Sequence, residues 1–342
     1  DSWLRTVWIN SIFFPIAEIS TSICIGLLVW YGGFNNLDGQ NISLGTLFLF
    51  ISMSGLLFRP LRQIADRFNT LQMGMVSTER IFKILEDESE IRDNGEIDYS
   101  SFNGLIEFKN VKFSYVQHQI VIDDISFKLN PGETLAIVGP TGSGKSTIIN
   151  LITKFYEIDS GSILIDGENI DDFKLDNIRS KIGVILQDVF MFADTIFNNI
   201  SLYNKNISIK DVERSAKELE IHDFIQSLPG GYDFNVSERG GTLSSGQNQL
   251  IAFLRVLVNN PDILILDEAT SSIDSYSEDL IKKATKKITK DKTSIIIAHR
   301  LSTVESADKI IYMENGKILE FGNHKELLNI DNGKFKKLYR EQ

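Results

Sequence analysis

The residues Gly139, Pro140, Thr141, Gly142, Ser143, Gly144, Lys145 and Ser146 set three glycines, a lysine and a hydroxyl at the spacing G-x-x-x-x-G-K-[ST]. That pattern does phosphate chemistry. Glycines let backbone N–H groups turn inward onto phosphate oxygens, and a helix that starts there points its positive end at the same anion. Lys145 is placed for β- and γ-phosphates, with the Ser146 hydroxyl for Mg²⁺. About 120 residues downstream the apolar run ILILD ends in Asp267-Glu268. A buried strand that delivers a carboxylate at its C-terminal edge suits a Mg²⁺ site. Asp267 is then the metal-side group and Glu268 the group that polarises an attacking water. Alone, such a pair reads as a helix cap; with the glycine loop upstream it reads as chemistry.

A phosphate loop needs a strand before it and a helix after it. TLAIV (134–138) and TIINLITKF (147–155) supply both. Further β-rich runs lie at 105–115, 125–129, 162–166, 182–186, 263–267, 294–298 and 309–313. Several are continuous apolar runs, as expected of strands covered on both faces. With helical stretches between them, residues 105–342 form one α/β domain of about 240 residues with a mostly parallel core.

The rest of the chain has a different composition. Of 342 residues, 42% are hydrophobic and 24% charged, and the net charge is −11. This excludes disordered and low-complexity classes, and the acidic balance opposes a general nucleic-acid binder. Yet residues 1–58 hold only four charges, Asp1, Arg5, Glu18 and Asp38. Ile12 to Phe34 is a 23-residue run with one charge, about 34 Å long as a helix. Ile42 to Phe58 is a second run, uncharged, at the short limit for a span. The connector 35–41 has no Lys or Arg, whereas Arg59, Arg62 and Arg67 follow the second run. The positive-inside rule puts residue 59 onward in the cytoplasm. The competing reading is a buried helical hairpin of a soluble protein. Glu18 faces a bundle interior, or sits at the membrane interface; Pro15 loosens the helix beside it, and Cys24, the one cysteine, reads as a small packing residue. From Leu61, the residues Ile64, Phe68, Leu71, Met75, Thr78, Phe82 and Leu85 follow at 3,4 spacing, a heptad seam that needs a partner helix. An acidic, turn-rich stretch at 86–104 marks the domain boundary. The chain opens on Asp1, not Met, and reads as a fragment or a processed chain.

Residues 105–342 resemble the nucleotide-binding domain of an ATP-binding cassette (ABC) protein, over about 70% of the chain. The diagnostic stretch is Leu243-Ser244-Ser245-Gly246-Gln247, which resembles the family signature LSGGQ and lies 20 residues before Asp267. The other family elements follow in order. Tyr115 matches the aromatic that stacks on adenine. Gln187 matches the glutamine that senses Mg²⁺ and the attacking water and links to the membrane domain. Ser237-Glu238-Arg239-Gly240 resembles an exporter-specific loop. Ser271-Ser272-Ile273-Asp274 matches the loop that touches the opposite subunit, and His299 the switch histidine at γ-phosphate.

The resemblance implies ATP and Mg²⁺ as cofactors. Glu268, His299, Lys145 and Gln187 are implied as catalytic, with Ser146, Gln187 and Asp267 at the metal. Tyr115, residues Gly139 to Thr147, Gln187 and Asp267 bind nucleotide, joined in trans by Ser244, Ser245, Gly246 and Gln247. Two such domains close around two ATPs, because the signature amides at a helix N-terminus take the γ-phosphate held by the facing loop. In exporters of the multidrug and lipid type, the last two transmembrane helices precede this domain. The implied fold is therefore a membrane all-α segment, two transmembrane helices at about 10–34 and 42–85, then a linker at 86–104, then an ABC-type α/β P-loop NTPase domain.

The implied function is ATP-driven export of a hydrophobic or amphipathic substrate, by a multi-pass subunit of the cell membrane whose ATP-binding domain is cytoplasmic. Partners are a second half-transporter, the lipid bilayer and a transported small molecule or lipid, with no nucleic acid. Phe13, Phe14, Trp30, Phe48, Phe50 and Met53 could line a cavity, although lipid or neighbouring helices are the commoner fate of such side chains. Ser245 stands where the family usually has Gly, and Asn248 and Leu250 also depart from its pattern. Imperfect signatures occur in heterodimers with one weakened site, so a heterodimer is favoured over a homodimer. An ATP-gated channel or regulatory membrane protein, and a soluble ABC ATPase, are the competing classes.

Overall fold

The computed structural model describes residues 2–37, 43–86, 93–116, 118–237, 240–267, 275–298 and 301–341. The chain divides into two compact units, Asp1–Glu90 and Ile91–Gln342.

The first unit is a pair of long helices, α1 (Ser2–Leu37) and α2 (Leu44–Leu85). The Ser43 hydroxyl caps α2 by accepting from Thr46 N, as Ser does at a helix start. The two helices come close at Gly32, where a Cβ would meet Leu47 Cδ1 at 2.2 Å. Pro15 and Pro60 sit inside the helices. The hydroxyls of Ser20, Ser22 and Ser54 donate back to the carbonyls of Ile16, Glu18 and Phe50, one turn earlier. Of the heptad seam, Leu71, Met75, Phe82 and Leu85 are exposed.

Two spanning helices are the expectation for this unit, but among the described residues no helix is long and apolar enough to cross a membrane.

The second unit is built on two sheets. The smaller is antiparallel, in the order β2-β1-β4-β5: β1 (Ile106–Val116), β2 (Gln119–Leu129), β4 (Ser160–Ile165) and β5 (Glu168–Asn169). The larger runs β10-β9-β3-β8-β7-β6: β3 (Thr134–Val138), β6 (Ile182–Ile185), β7 (Ile263–Asp267), β8 (Thr293–Ile297), β9 (Lys309–Glu314) and β10 (Lys317–Gly322). Five of these strands are parallel, and only β10 runs antiparallel, on β9. The apolar runs are continuous because both faces are covered. Along the strands Ile263, Ile265, Ile295 and Ile297 enter one core with Phe108, Ile122 and α3 (Lys145–Ile152). Their neighbours Leu264, Leu266 and Ile296 enter another. That period of two is the strand's own geometry.

The second core is completed by helices: α5 (Ile196–Ser201), α6 (Ile209–Glu218), α7 (His222–Ser227), α8 (Ser245–Asn259) and α9 (Ser275–Ile288). A third core gathers Val138, Ile310 and Tyr312 with residues of α10 (Leu301–Ser306), α11 (His324–Leu328) and α12 (Lys334–Glu341). Short α4 (Leu175–Lys181) precedes β6.

Within the 86–104 stretch, the described residues 93–104 pack onto this unit. Phe102 is buried and meets Tyr99 and Phe173 edge-on. The Asp166 carboxylate accepts from the amides of Asn103, Gly104 and Leu105, and Asn177 Nδ2 donates to Asp98 Oδ1 and Tyr99 O.

Candidate nucleotide site

β3 ends at Val138 and the chain turns at once into the glycine loop. Gly139 takes φ 147° and Gly144 φ 100°. A Cβ at Gly139 would lie 2.1 Å from the Met313 carbonyl oxygen on β9, and one at Gly144 would lie 2.8 Å from Ile122 Cδ1 on β2. The loop is thus pressed against two strands where a side chain has no room. The Gly316 amide, in the β9–β10 turn, donates to Ser143 O at 3.2 Å, while Gly316 O accepts from Asp123 N at 2.9 Å. Pro140, Thr141, Gly142 and Ser146 are exposed; Ser143 and Thr147 are buried.

Lys145 opens α3 and is 7% exposed. Its Nζ donates to the carbonyls of Gly139 and Pro140, both at 2.9 Å. Burial lowers its pKa, and the Asp267 carboxylate opposes that by favouring the charged form. Gly144 caps α3 without a side chain, so the first amides of the helix face the loop. Among the described residues, the buried Ser143 Oγ has no hydrogen-bond partner.

Parallel pairing brings the other groups to the same sheet edge. Asp267 ends β7 opposite Ile297, and the Ser146 hydroxyl reaches it, donating to Oδ2 at 3.5 Å. Gln187 is exposed, two residues beyond Ile185, which pairs with Leu266. Tyr115, on β1, is half exposed. Its hydroxyl donates to Thr147 Oγ1 at 3.3 Å and accepts from Asn150 Nδ2 at 3.0 Å. The ring stands edge-on to Phe113 and Tyr156. Asn150 escapes a motif search because it lies one helical turn past Ser146, outside the loop pattern.

The serine-rich stretch forms the start of α8. Ser244 Oγ accepts from Gln247 N at 3.2 Å, and Gln247 Oε1 accepts from Ser244 N at 2.9 Å, closing a capping box. Ser244 and Ser245 are exposed, Leu243 and Gly246 buried. Asn248 Nδ2 donates to Gly240 O at 3.4 Å, tying the helix to the preceding loop. Glu238, Arg239, Glu268, Ser271, Ser272, Ile273, Asp274 and His299 lie outside the described residues.

Comparison with known proteins places the chain in a family. The family model "ABC transporter" matches residues 122–271. The chain is 40% identical over 329 residues to the uncharacterized ABC transporter ATP-binding protein YknV of Bacillus subtilis (strain 168), covering 96% of this chain and 54% of that protein. It is 40% identical over 341 residues to an ATP-dependent lipid A-core flippase of Haemophilus influenzae, covering 99% and 58%. Among solved structures, a bacterial Atm1-family ABC exporter with ATP bound aligns with a TM-score of 0.72 at 33% identity, over 100% of this chain and 59% of that one. The chain spans a little over half the length of the relatives it matches. It belongs to the ABC transporter family, and its second unit is an ABC-type α/β NTPase domain.

Proposed function

We propose that this chain is the ATP-hydrolysing part of an ABC exporter subunit. The observation that carries the reading is the convergence of a glycine-pressed loop, a buried lysine on its carbonyls and the Ser146–Asp267 pair at one sheet edge. Lys145 exchanges its two loop carbonyls for phosphate oxygens, and the amides at the start of α3 take the same anion. Ser146 and Asp267 fit Mg²⁺, since a hydroxyl beside a carboxylate is the oxygen donor set of an ion that keeps waters and shares phosphate oxygens. Mg²⁺ would neutralise charge on the phosphates there. Tyr115, fixed by Asn150 and Thr147, offers its ring to adenine. Glu268 orients the attacking water, Gln187 organises the metal side, and His299 and Lys145 meet γ-phosphate.

The exposed, capped end of α8 takes the γ-phosphate of a facing subunit, which makes ATP the link between two copies of the fold. Ser245 adds a side chain at that surface, and this favours a different half-transporter as partner. The names of the relatives, a lipid A-core flippase and a multidrug export protein among them, support placement in the cell membrane with a lipid or amphipathic cargo. There α1 and α2 serve within a membrane domain, and the ATP-binding domain is cytoplasmic.

The test has two arms. A fluorescent ATP analogue should bind the full chain in the presence of Mg²⁺ and lose affinity in Lys145→Ala; equal affinity in the variant refutes the loop assignment. In a Cys24→Ser background, cysteines at Thr141 and Ser245 should cross-link between subunits only with ATP, either between copies or with a partner co-purified from native membrane. Absence of any cross-link while ATP binds refutes the shared site.

A further inference from the structure

Arg255 has no part in the reading above. It lies ten residues into α8, on the helix whose exposed tip carries Ser244 and Ser245. Its Nε donates to Asn199 O at 2.8 Å, and one terminal nitrogen donates to Phe190 O at 3.2 Å and contacts Met191 Sδ at 3.6 Å. These acceptors are two carbonyls and a thioether, with no carboxylate among them. Burial holds the guanidinium below its ordinary pKa.

The acceptors belong to one knot. Asn199 is completely buried. Its Nδ2 faces the carbonyls of Phe192, Thr195 and Asp194 at 3.0, 3.1 and 3.4 Å, and its Oδ1 accepts from Phe192 N at 2.9 Å. The backbone from Phe190 to Thr195 is therefore tied to α8 through one arginine and one asparagine. Phe190 follows Gln187 by three residues.

We propose that Arg255 is a positioning residue for Gln187, fastening the segment 187–199 to the signature helix so that the two move together when a phosphate is gripped at Ser244. The inference rests on the roles of Gln187 and Ser244 given above. The fork geometry of a guanidinium is what the task needs, since it reaches two carbonyls in different elements at once, whereas a lysine supplies one point charge. The direction of coupling is reciprocal: fixing Gln187 favours the α8 position that accepts phosphate, and the reverse.

The test uses the full chain in detergent, with Arg255→Lys and Arg255→Met. In Arg255→Met, which loses both guanidinium–carbonyl hydrogen bonds, the amides of Phe192 and Asn199 should exchange at least about tenfold faster, the value of one charge-assisted hydrogen bond, while amides of β3 and β7 keep wild-type protection. Phosphate release should need more Mg²⁺ for half-maximal rate, with ATP affinity unchanged and Arg255→Lys only partly rescuing. Unchanged exchange at Phe192 and Asn199 overturns the proposal. So does a loss spread evenly over β3, β7 and α8 in both variants, which marks Arg255 as a packing residue alone. If the wild type hydrolyses no ATP, the proposed function fails, and the exchange measurement still decides whether Arg255 fastens the segment.

Discussion

Gly139→Ala isolates the close approach that shapes the loop. The new Cβ would sit 2.1 Å from Met313 O and 3.2 Å from Ser143 Oγ, at a residue with φ 147°. The carbonyl is backbone of β9, a strand held between β10 and β3, so it cannot swing aside. Loop and strand must part by about 1 Å, which on the scale of overpacked cores costs about 1–3 kcal/mol. The unfavourable φ adds about 1–3 kcal/mol, giving roughly 2–6 kcal/mol in all. Gly142→Ala is the control. It too has a positive φ, 80°, but open space around the Cβ, so only the conformational term of about 1–2 kcal/mol applies. Native-state hydrogen exchange of the β3 and β9 amides reads the opening free energy of both variants. Gly139→Ala should lower it clearly more than Gly142→Ala, and its ATP affinity should fall with it. Equal losses in the two variants would refute the argument that contact with β9 requires glycine.

Other consequences can be checked separately. Ser244→Ala removes an N-cap and should loosen the first turn of α8 by about 1 kcal/mol, visible as faster exchange at Gln247 N while the far end of the helix is unchanged. Asp267→Asn should raise the Mg²⁺ concentration needed for tight nucleotide binding, and adding Ser146→Ala should cost less than the sum of the two single changes because they share one site; additive effects in a calorimetric titration would separate them. Because burial lowers the Lys145 pKa in the nucleotide-free protein, its charge is present below that value and lost as pH rises through it. ATP affinity should therefore begin to fall at a lower alkaline pH than an ordinary lysine would give, in binding titrations across that range, and the shift should vanish in Lys145→Arg.

How legible each part was depends on what fixes it. The parallel strands announce themselves because ILILD and TLAIV are apolar at every position, and the loop because its glycines, lysine and serine are fixed in spacing by phosphate geometry. The first half of β2 is hidden by Asp123 and Asp124. Asp124 adopts φ 60° at an irregular pairing, and Asp123 is paired with Lys317 and Lys112, which lower its pKa. β10 is an edge strand that leaves Leu319 and Phe321 exposed, so its pattern does not alternate cleanly, although Asn315-Gly316 signals the hairpin turn before it. The acidic 86–104 stretch reads as a boundary because charge run and turn residues carry no hint that Phe102 packs against Phe173. Arg255 is invisible in sequence for a plainer reason: its acceptors are backbone carbonyls, which every residue has.

The central claim is that the loop, Asp267 and Glu268 together hydrolyse ATP. Phosphate release from Mg²⁺-ATP by the wild-type chain and by Glu268→Gln tests it most directly. The wild type should turn over, and Glu268→Gln should bind ATP as tightly yet release phosphate at least about a hundredfold more slowly. Hydrolysis by Glu268→Gln at the wild-type rate would contradict the account.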